Sequence, residues 1–190
     1  MYWVLNGVVS MLLLLHNTRG HIIGLAVRLP LQGFQAAPGA PWPYPKVWKN
    51  STTVYSLNSE VFQMTGNMMH CIIMSEAIQR YLKLVFFEKN VMTDRTVKEI
   101  KSLHIFVEDE ICHDLPDENM IESYNLIVSE SSTLKAKSIW GALRGLETFS
   151  QLVYTDSNNT YYINKTDIID EPRFGYRGLM LDTARCHVIQ

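Results

Sequence analysis

The chain has 190 residues, 47% of them hydrophobic, and a formal net charge of −2 at pH 7. A chain of this length and composition can bury one hydrophobic core. A charge so close to neutral provides no basic surface, and nucleic acid is therefore not expected as a partner.

Residues 1–20 have the character of a signal peptide. The run from Trp3 to Leu15 is almost entirely apolar and is followed by the polar residues 16–19. This length suits the hydrophobic part of a secretory signal and is shorter than the roughly 20 residues that span a bilayer. We therefore expect a cleaved signal and no membrane span. A signal anchor or an incorrectly assigned start is the alternative.

Residues 21–40 are predicted to form a linker. The segment 30–46 is rich in proline and glycine, which excludes a regular helix or a central strand. The rings of Trp42 and Tyr44 are expected to attach the end of this segment to the folded body, which begins near Val47.

The first half of the folded region alternates between strand and helix patterns. Residues 47–55 and 61–64 are rich in β-branched and aromatic residues, which indicates strands. Residues 71–87 carry apolar side chains at helical spacing, and residues 100–108 alternate as a strand does.

The second half contains further strands. Residues 124–129 and 134–136 are predicted to pair as a hairpin, and residues 161–163 and 168–169 as a second, smaller one. Residues 176–181 are predicted to form a last strand. With the two helices, these strands predict an α+β fold.

The second helix begins at Ser138, a good N-cap residue, and its apolar side chains form one stripe. Gly141 and Gly145 lie one turn apart within it. Because glycine costs about 1 kcal/mol inside a helix, their presence predicts that a neighbouring element approaches closely. The stripe itself is interpreted as core packing.

Asp182 and Arg185 follow the last predicted strand. Binding residues of strand-helix barrels gather at the carboxyl ends of strands, and a guanidinium suits paired sugar hydroxyls or a carboxylate. From the residues alone, an ion pair of Asp182 with Arg185, or of Glu171 with Arg173, is the favoured interpretation.

Other chemistry has little support in the sequence. The histidines lack metal-ligand spacing, and the motifs HExxH, GxSxG, GxGxxG and the Walker loop are absent. Neither a metal nor another cofactor is expected. His104 is interpreted as a hydrogen-bonded sheet residue, and the acidic runs 108–110 and 117–118 as solvated charge.

Cys71, Cys112 and Cys186 make an odd number of cysteines, which leaves at least one unpaired within the chain. If the protein is secreted, Cys71 and Cys112 are the plausible pair; two buried thiols in a reducing compartment are the alternative. Sequons at Asn50, Asn158 and Asn164 favour the oxidising secretory pathway and predict glycosylation.

Long specific runs carry a family resemblance. They read WGALRGLETFSQLVY from Trp140, PRF from Pro172 and RGLMLDTAR from Arg177. The chain resembles the β-N-acetylhexosaminidases of glycoside hydrolase family twenty, of the lysosomal and arthropod type. The resemblance is looser but continuous upstream and covers about residues 41–185.

This resemblance implies a non-catalytic α/β domain over residues 41–170 and the truncated start of a (β/α)₈ barrel over residues 171–190. The arginine with which the family binds the terminal N-acetylhexosamine corresponds to Arg185. The family's first disulfide corresponds to Cys71 and Cys112, and a glycosylated position to Asn164.

The implied activity is retaining hydrolysis of terminal N-acetylhexosamine from glycans, assisted by the substrate's own acetamide. The family's catalytic Asp-Glu pair lies further along the barrel and has no counterpart here, so this chain alone is expected to be inactive. The implied location is the lysosome or the exterior, in a hexosaminidase homodimer or heterodimer. A non-catalytic module that binds a partner or a glycan is the alternative, and Cys186 is expected to have no role.

Overall fold

Strands and helices follow one another along the chain in a computed structural model that describes residues 36–87, 94–112 and 115–180. The predicted signal peptide, residues 21–35 of the predicted linker, and Arg185 and Cys186 lie outside the described residues. The elements are β1 (Val47–Leu57), β2 (Gln63–Gly66), α1 (Ile72–Val85), β3 (Glu99–Ile100), β4 (Ser102–Val107), β5 (Tyr124–Val128), β6 (Ser132–Ala136), α2 (Ile139–Leu152), β7 (Tyr154–Thr155) and β8 (Tyr161–Asp170).

The strands form one mixed sheet in the order β2-β4-β6-β5-β8-β1-β3, with β7 paired to β8. The pairs β1 with β3, β2 with β4 and β4 with β6 are parallel. The β5–β6, β5–β8, β1–β8 and β7–β8 pairs are antiparallel. A mixed sheet with two helices confirms the predicted α+β class.

Alternating side chains give the sheet a buried and an open face. Leu103, Ile105 and Val107 of β4 are buried, whereas His104 and Phe106 between them are exposed. The same period of two runs through β5 and β6. Both helices contribute to the hydrophobic core on the buried face.

Helix α2 lies against the sheet at two glycines. A Cβ on Gly145 would lie 2.2 Å from Leu134 Cδ1, and one on Gly141 would lie 2.4 Å from the carbonyl oxygen of Ser123. An added Cβ would thus meet a side-chain methyl group at Gly145 and a backbone oxygen at Gly141, so the packing leaves no space for it without a shift of these atoms. The predicted close approach at these two positions is therefore confirmed.

The segment before β1 attaches to the domain differently from the prediction. Pro41 and Pro45 are buried, whereas Trp42 is 76% exposed and Tyr44 is 74% exposed. Tyr44 makes an edge contact with the ring of Trp48, at 5.4 Å between centroids. Burial at this end of the segment therefore comes from the two prolines and not from the two aromatic rings.

The predicted hairpin within residues 161–169 is wrong, because β8 is one continuous strand of 10 residues. The sequence Asn164-Lys165-Thr166 separates two apolar runs and resembles a turn. In the structure the register with β1 shifts between Asn50 and Val54, opposite this point. A bulge of this kind changes which residues face the core without reversing the chain.

The predicted strand at 176–181 is wrong for residues 176–180, which have no strand geometry. A strand requires hydrogen bonds to a neighbouring strand, and these residues pair with none of the described strands. We call residues 171–180 the exit segment. It leaves the sheet after β8, and most of its large side chains are exposed.

Candidate functional site

A buried carboxylate joins the domain to the exit segment. The side chain of Glu122, which lies two residues before the start of β5, is only 4% exposed. Its Oε1 accepts a hydrogen bond from Arg144 Nε of α2 at 2.6 Å, and its Oε2 accepts one from Arg177 Nη2 at 2.5 Å. Arg177 also donates through Nη1 to the carbonyl oxygen of Phe174 at 2.5 Å.

The backbone around Glu122 is fixed by the start of α2. Ser138 accepts hydrogen bonds from the amides of Trp140 and Gly141 as the N-cap, and its hydroxyl donates to the carbonyl oxygen of Ile121. Ser123 O lies against Gly141. The residues on both sides of Glu122 are therefore held by α2, and the carboxylate has a defined position.

The two arginines determine the ionisation of this carboxylate. Burial alone would raise the pKa of Glu122, but the hydrogen bonds and charges of Arg177 and Arg144 outweigh it, so the pKa lies below its usual value. The group is thus ionised near neutral pH. A buried carboxylate is tolerated in that form when cations pair with it.

The exit segment carries several large apolar side chains that are exposed. In the exit segment Phe174 is 66% exposed, Tyr176 90%, Leu179 93% and Met180 88%. Large apolar side chains that are exposed together are typical of surfaces that bind another part of a protein.

A second polar cluster connects the start of β5 and the end of β8 to α2. The hydroxyl of Tyr124 lies 2.6 Å from Thr148 Oγ1 and donates to Asp170 Oδ2 at 3.3 Å. Burial raises the pKa of Tyr124 far above its ordinary value, and the nearby Asp170 carboxylate adds to the shift. Asp170 Oδ1 in turn accepts a hydrogen bond from the backbone amide of Lys46, the residue before β1.

The structure joins Cys71 and Cys112 in a disulfide, with their Cα atoms 5.6 Å apart. Cys71 is the N-cap residue of α1, and no side chain caps that helix end. Asn67 binds both backbone groups of Val107, at 3.0 and 2.8 Å, and so holds the end of β4 beside the disulfide.

The three sequons lie in β1, in β8 and in the loop between β7 and β8. Asn50 and Asn158 are exposed, and Asn164 is partly buried. Asn164 Oδ1 accepts a hydrogen bond from the hydroxyl of Tyr154 at 2.9 Å. Its Nδ2 atom, the one to which a glycan is attached, is not used in that bond.

Few other groups in the described part of the chain suggest catalysis. No cluster of three or more potential metal ligands occurs there. His104 hydrogen-bonds Thr65 and Ser102 at 2.9 and 3.2 Å, as expected of a sheet histidine. Across the same residues, no helix is long and apolar enough to cross a membrane.

Comparison with known proteins decides the family. Residues 41–152 match the family model described as "beta-acetyl hexosaminidase like". This match covers β1 to α2, including Glu122, Arg144 and the disulfide. The chain belongs to this hexosaminidase family.

The relatives include mammalian hexosaminidase subunits. The chain is 37% identical over 163 residues to the beta-hexosaminidase subunit alpha of Bos taurus, covering 80% of this chain and 31% of that protein. It is 38% identical over 173 residues to the subunit beta of Homo sapiens, covering 84% of this chain and 31% of that protein. The chain thus spans about a third of the length of these curated relatives.

The fold is similar to that of solved family members. The crystal structure of the Flavobacterium johnsoniae chitobiase FjGH20 superimposes with a TM-score of 0.59 at 26% identity. The superposition covers 80% of this hexosaminidase-family chain and 24% of the chitobiase. As with the mammalian subunits, most of this chain matches a minor part of the longer protein.

The group around Glu122 was not predicted from the sequence. Glu122 lies in a loop, and Arg144 and Arg177 each lie in a family motif. Residue type and spacing do not show which arginine meets which carboxylate across 22 and 55 residues. The one feature of the sequence that could have indicated this group is a glutamate close to the start of an apolar strand.

Proposed function

We propose that this chain is the N-terminal region of a β-N-acetylhexosaminidase that removes terminal, non-reducing N-acetylhexosamine from glycoconjugates. The family match over residues 41–152 is the observation that carries the proposal. The motif that begins at Arg177 and ends at Arg185 supports it, because it continues the resemblance beyond the matched domain.

In this proposal Arg185 binds hydroxyls of the terminal sugar. Its planar guanidinium can donate two parallel hydrogen bonds, which suits adjacent hydroxyls. The reaction is retaining, and the substrate's acetamide oxygen, rather than a protein carboxylate, attacks the anomeric carbon. The Asp-Glu pair that would orient the acetamide and protonate the leaving group has no counterpart among these 190 residues.

The 190 residues by themselves are proposed to have no turnover. The purified chain should release no chromophore from a chromogenic N-acetyl-β-glucosaminide. A chimera that continues after Arg185 with the remaining sequence of the Bos taurus subunit alpha should release it. In that chimera, Arg185→Lys should lower kcat/KM by about 100-fold. Turnover by the purified 190-residue chain, or none by a folded chimera, would contradict the proposal.

The proposed location is the secretory pathway, with the lysosome or the exterior as the destination. Three sequons, the disulfide between Cys71 and Cys112, and the apolar residues 3–15 support it. Expression with the native N-terminus in a secreting cell, followed by N-terminal sequencing, would show whether the first 20 or so residues are removed.

A binding module is the second proposed function, and the exposed apolar side chains of the exit segment favour it. Phe174, Tyr176, Leu179 and Met180 could pack against a hexosaminidase subunit in a homodimer or heterodimer, or against a glycan. Co-purification with a barrel-containing subunit would support this function. A monodisperse monomer without affinity for N-acetylhexosamine glycans would exclude it.

A further inference from the structure

Within the described residues, Glu122 is the one charged residue that is buried. Removing a carboxylate from water costs several kcal/mol unless cations and hydrogen bonds replace the lost solvent. Arg144 is 53% exposed and Arg177 is 39% exposed, so both arginines keep much of their own hydration. The carboxylate therefore depends on them more than they depend on it.

The position of this carboxylate is set without the exit segment. Arg144 belongs to α2, and the neighbours of Glu122 are held by Ser138 and Gly141 of the same helix region. One of its two oxygens is thus occupied from within the domain. The other oxygen points to the exit segment and accepts Arg177.

Beyond Glu171, which forms an ion pair with Lys46, the exit segment depends on that contact. It contains neither helix nor strand, and its residues from Arg173 onward are exposed. The Arg177 guanidinium reaches Glu122 with Nη2 and the carbonyl oxygen of Phe174 with Nη1. One side chain therefore both closes the turn at residues 174–177 and connects it to the domain.

We propose that Glu122 is a positioning residue that acts through Arg177 and fixes the path of the chain where it leaves the domain. Arg144 has a supporting role, since it holds the carboxylate in place. This positioning role does not rest on the proposed function.

The test is backbone ¹⁵N relaxation of the 190-residue chain. In the unchanged protein the order parameter S² at residues 174–177 should be close to the roughly 0.85 of the rigid sheet. Arg177→Gln should lower it below about 0.6 without changing the resonances of β5 and β6. Glu122→Gln should have the same effect, because a neutral amide binds a guanidinium less well.

Arg173→Gln is the matched control, since it removes an exposed arginine of the same segment that takes no part in the hydrogen bonds of Glu122. It should leave S² unchanged. Arg177→Lys keeps the positive charge but loses the planar pair of donors of the guanidinium. It should therefore give an S² between those of the unchanged protein and Arg177→Gln. If Glu122→Gln disturbs the domain, Arg177→Gln still decides the question because it lies outside the core.

Order parameters at 174–177 that do not change in Arg177→Gln would overturn the proposal, as would a low S² in the unchanged protein. Neither outcome bears on glycoside hydrolysis, which the chimera of the preceding section tests. Failure of the positioning role and failure of the proposed function are therefore distinguishable.

Discussion

Tyr124 and Thr148 connect the sheet to α2 through a hydroxyl–hydroxyl contact of 2.6 Å. Tyr124 lies at the start of β5, opposite Asp170 in the register with β8, and its hydroxyl also donates to that residue's carboxylate. Three elements therefore meet at one phenol, close to the point where the exit segment begins.

Replacing this hydroxyl should destabilise the domain. Tyr124→Phe is expected to lower the free energy of unfolding by about 1–2 kcal/mol, because it removes hydrogen bonds at a partly buried site. Urea unfolding followed by circular dichroism measures this. Tyr176→Phe removes a hydroxyl from a residue that is 90% exposed and should change stability little. Equal losses in the two variants would contradict the interpretation.

The disulfide should make a large contribution to stability. Cys71 and Cys112 are separated by 41 residues in the chain, and closing a loop of this size restricts the unfolded state by about 4 kcal/mol in the loop-entropy model. The double variant Cys71→Ser/Cys112→Ser should lose an amount of this order in chemical unfolding. Reduction of the unchanged protein provides the control, since it should have a similar effect.

The two helix glycines should differ in their tolerance of alanine. At Gly141 an added Cβ meets the backbone oxygen of Ser123, which cannot move alone, whereas at Gly145 it meets the end of the Leu134 side chain. Gly141→Ala should therefore lose about 2–3 kcal/mol. Gly145→Ala should lose less, because a shift of Leu134 and a gain of about 1 kcal/mol in helix propensity offset the clash.

Gly175→Ala is the control for this pair, since nothing lies within 4 Å of a Cβ at that position. Thermal unfolding of all three variants gives the order of their stabilities. A Gly145→Ala variant less stable than Gly141→Ala would show that Leu134 cannot shift.

Acid should weaken the contact at Glu122. The pKa of this carboxyl is lowered in the folded protein. Its stabilisation is therefore complete above the unfolded value of about 4.5 and is lost as the pH falls through the lower folded value. The stability difference between the unchanged protein and Glu122→Gln should shrink below pH 4.5. A constant difference between pH 7 and pH 3 would contradict the assigned ionisation.

Glycosylation can be tested at each sequon separately. Asn50→Gln, Asn158→Gln and Asn164→Gln, expressed in a secreting cell, should each remove one glycan from the protein. The measurement is a step in electrophoretic mobility that is absent after enzymatic deglycosylation. Asn159→Gln alters a neighbouring asparagine outside the acceptor position and should cause no step.

The sequence predicts the helices and the inner strands well because their signals are local. Residues 71–87 and the helix after Ser138 show regular apolar spacing, and α1 and α2 form there. Strand β4 alternates without interruption, and its burial follows the same pattern. In these elements the residue pattern and the tertiary environment agree.

The errors occur where a distant partner decides the structure. Asn164 to Thr166 resembles a turn, yet the shifted register of β1 makes it part of one long strand. Residues 176–180 have strand composition, but no described strand pairs with them. The contact between Glu122 and Arg177 likewise joins residues that are 55 positions apart.

The first strand of the domain starts where the last one finishes, since Val47 is paired with Ile169. Opposed residues of antiparallel strands lie only about 5 Å apart. The part of the domain between these two residues, 47–169, could therefore be spliced as a single insert into a surface loop of an unrelated host protein, without a spacer to bridge its two ends. Such a graft would separate the folding of this unit from everything that follows it in the polypeptide.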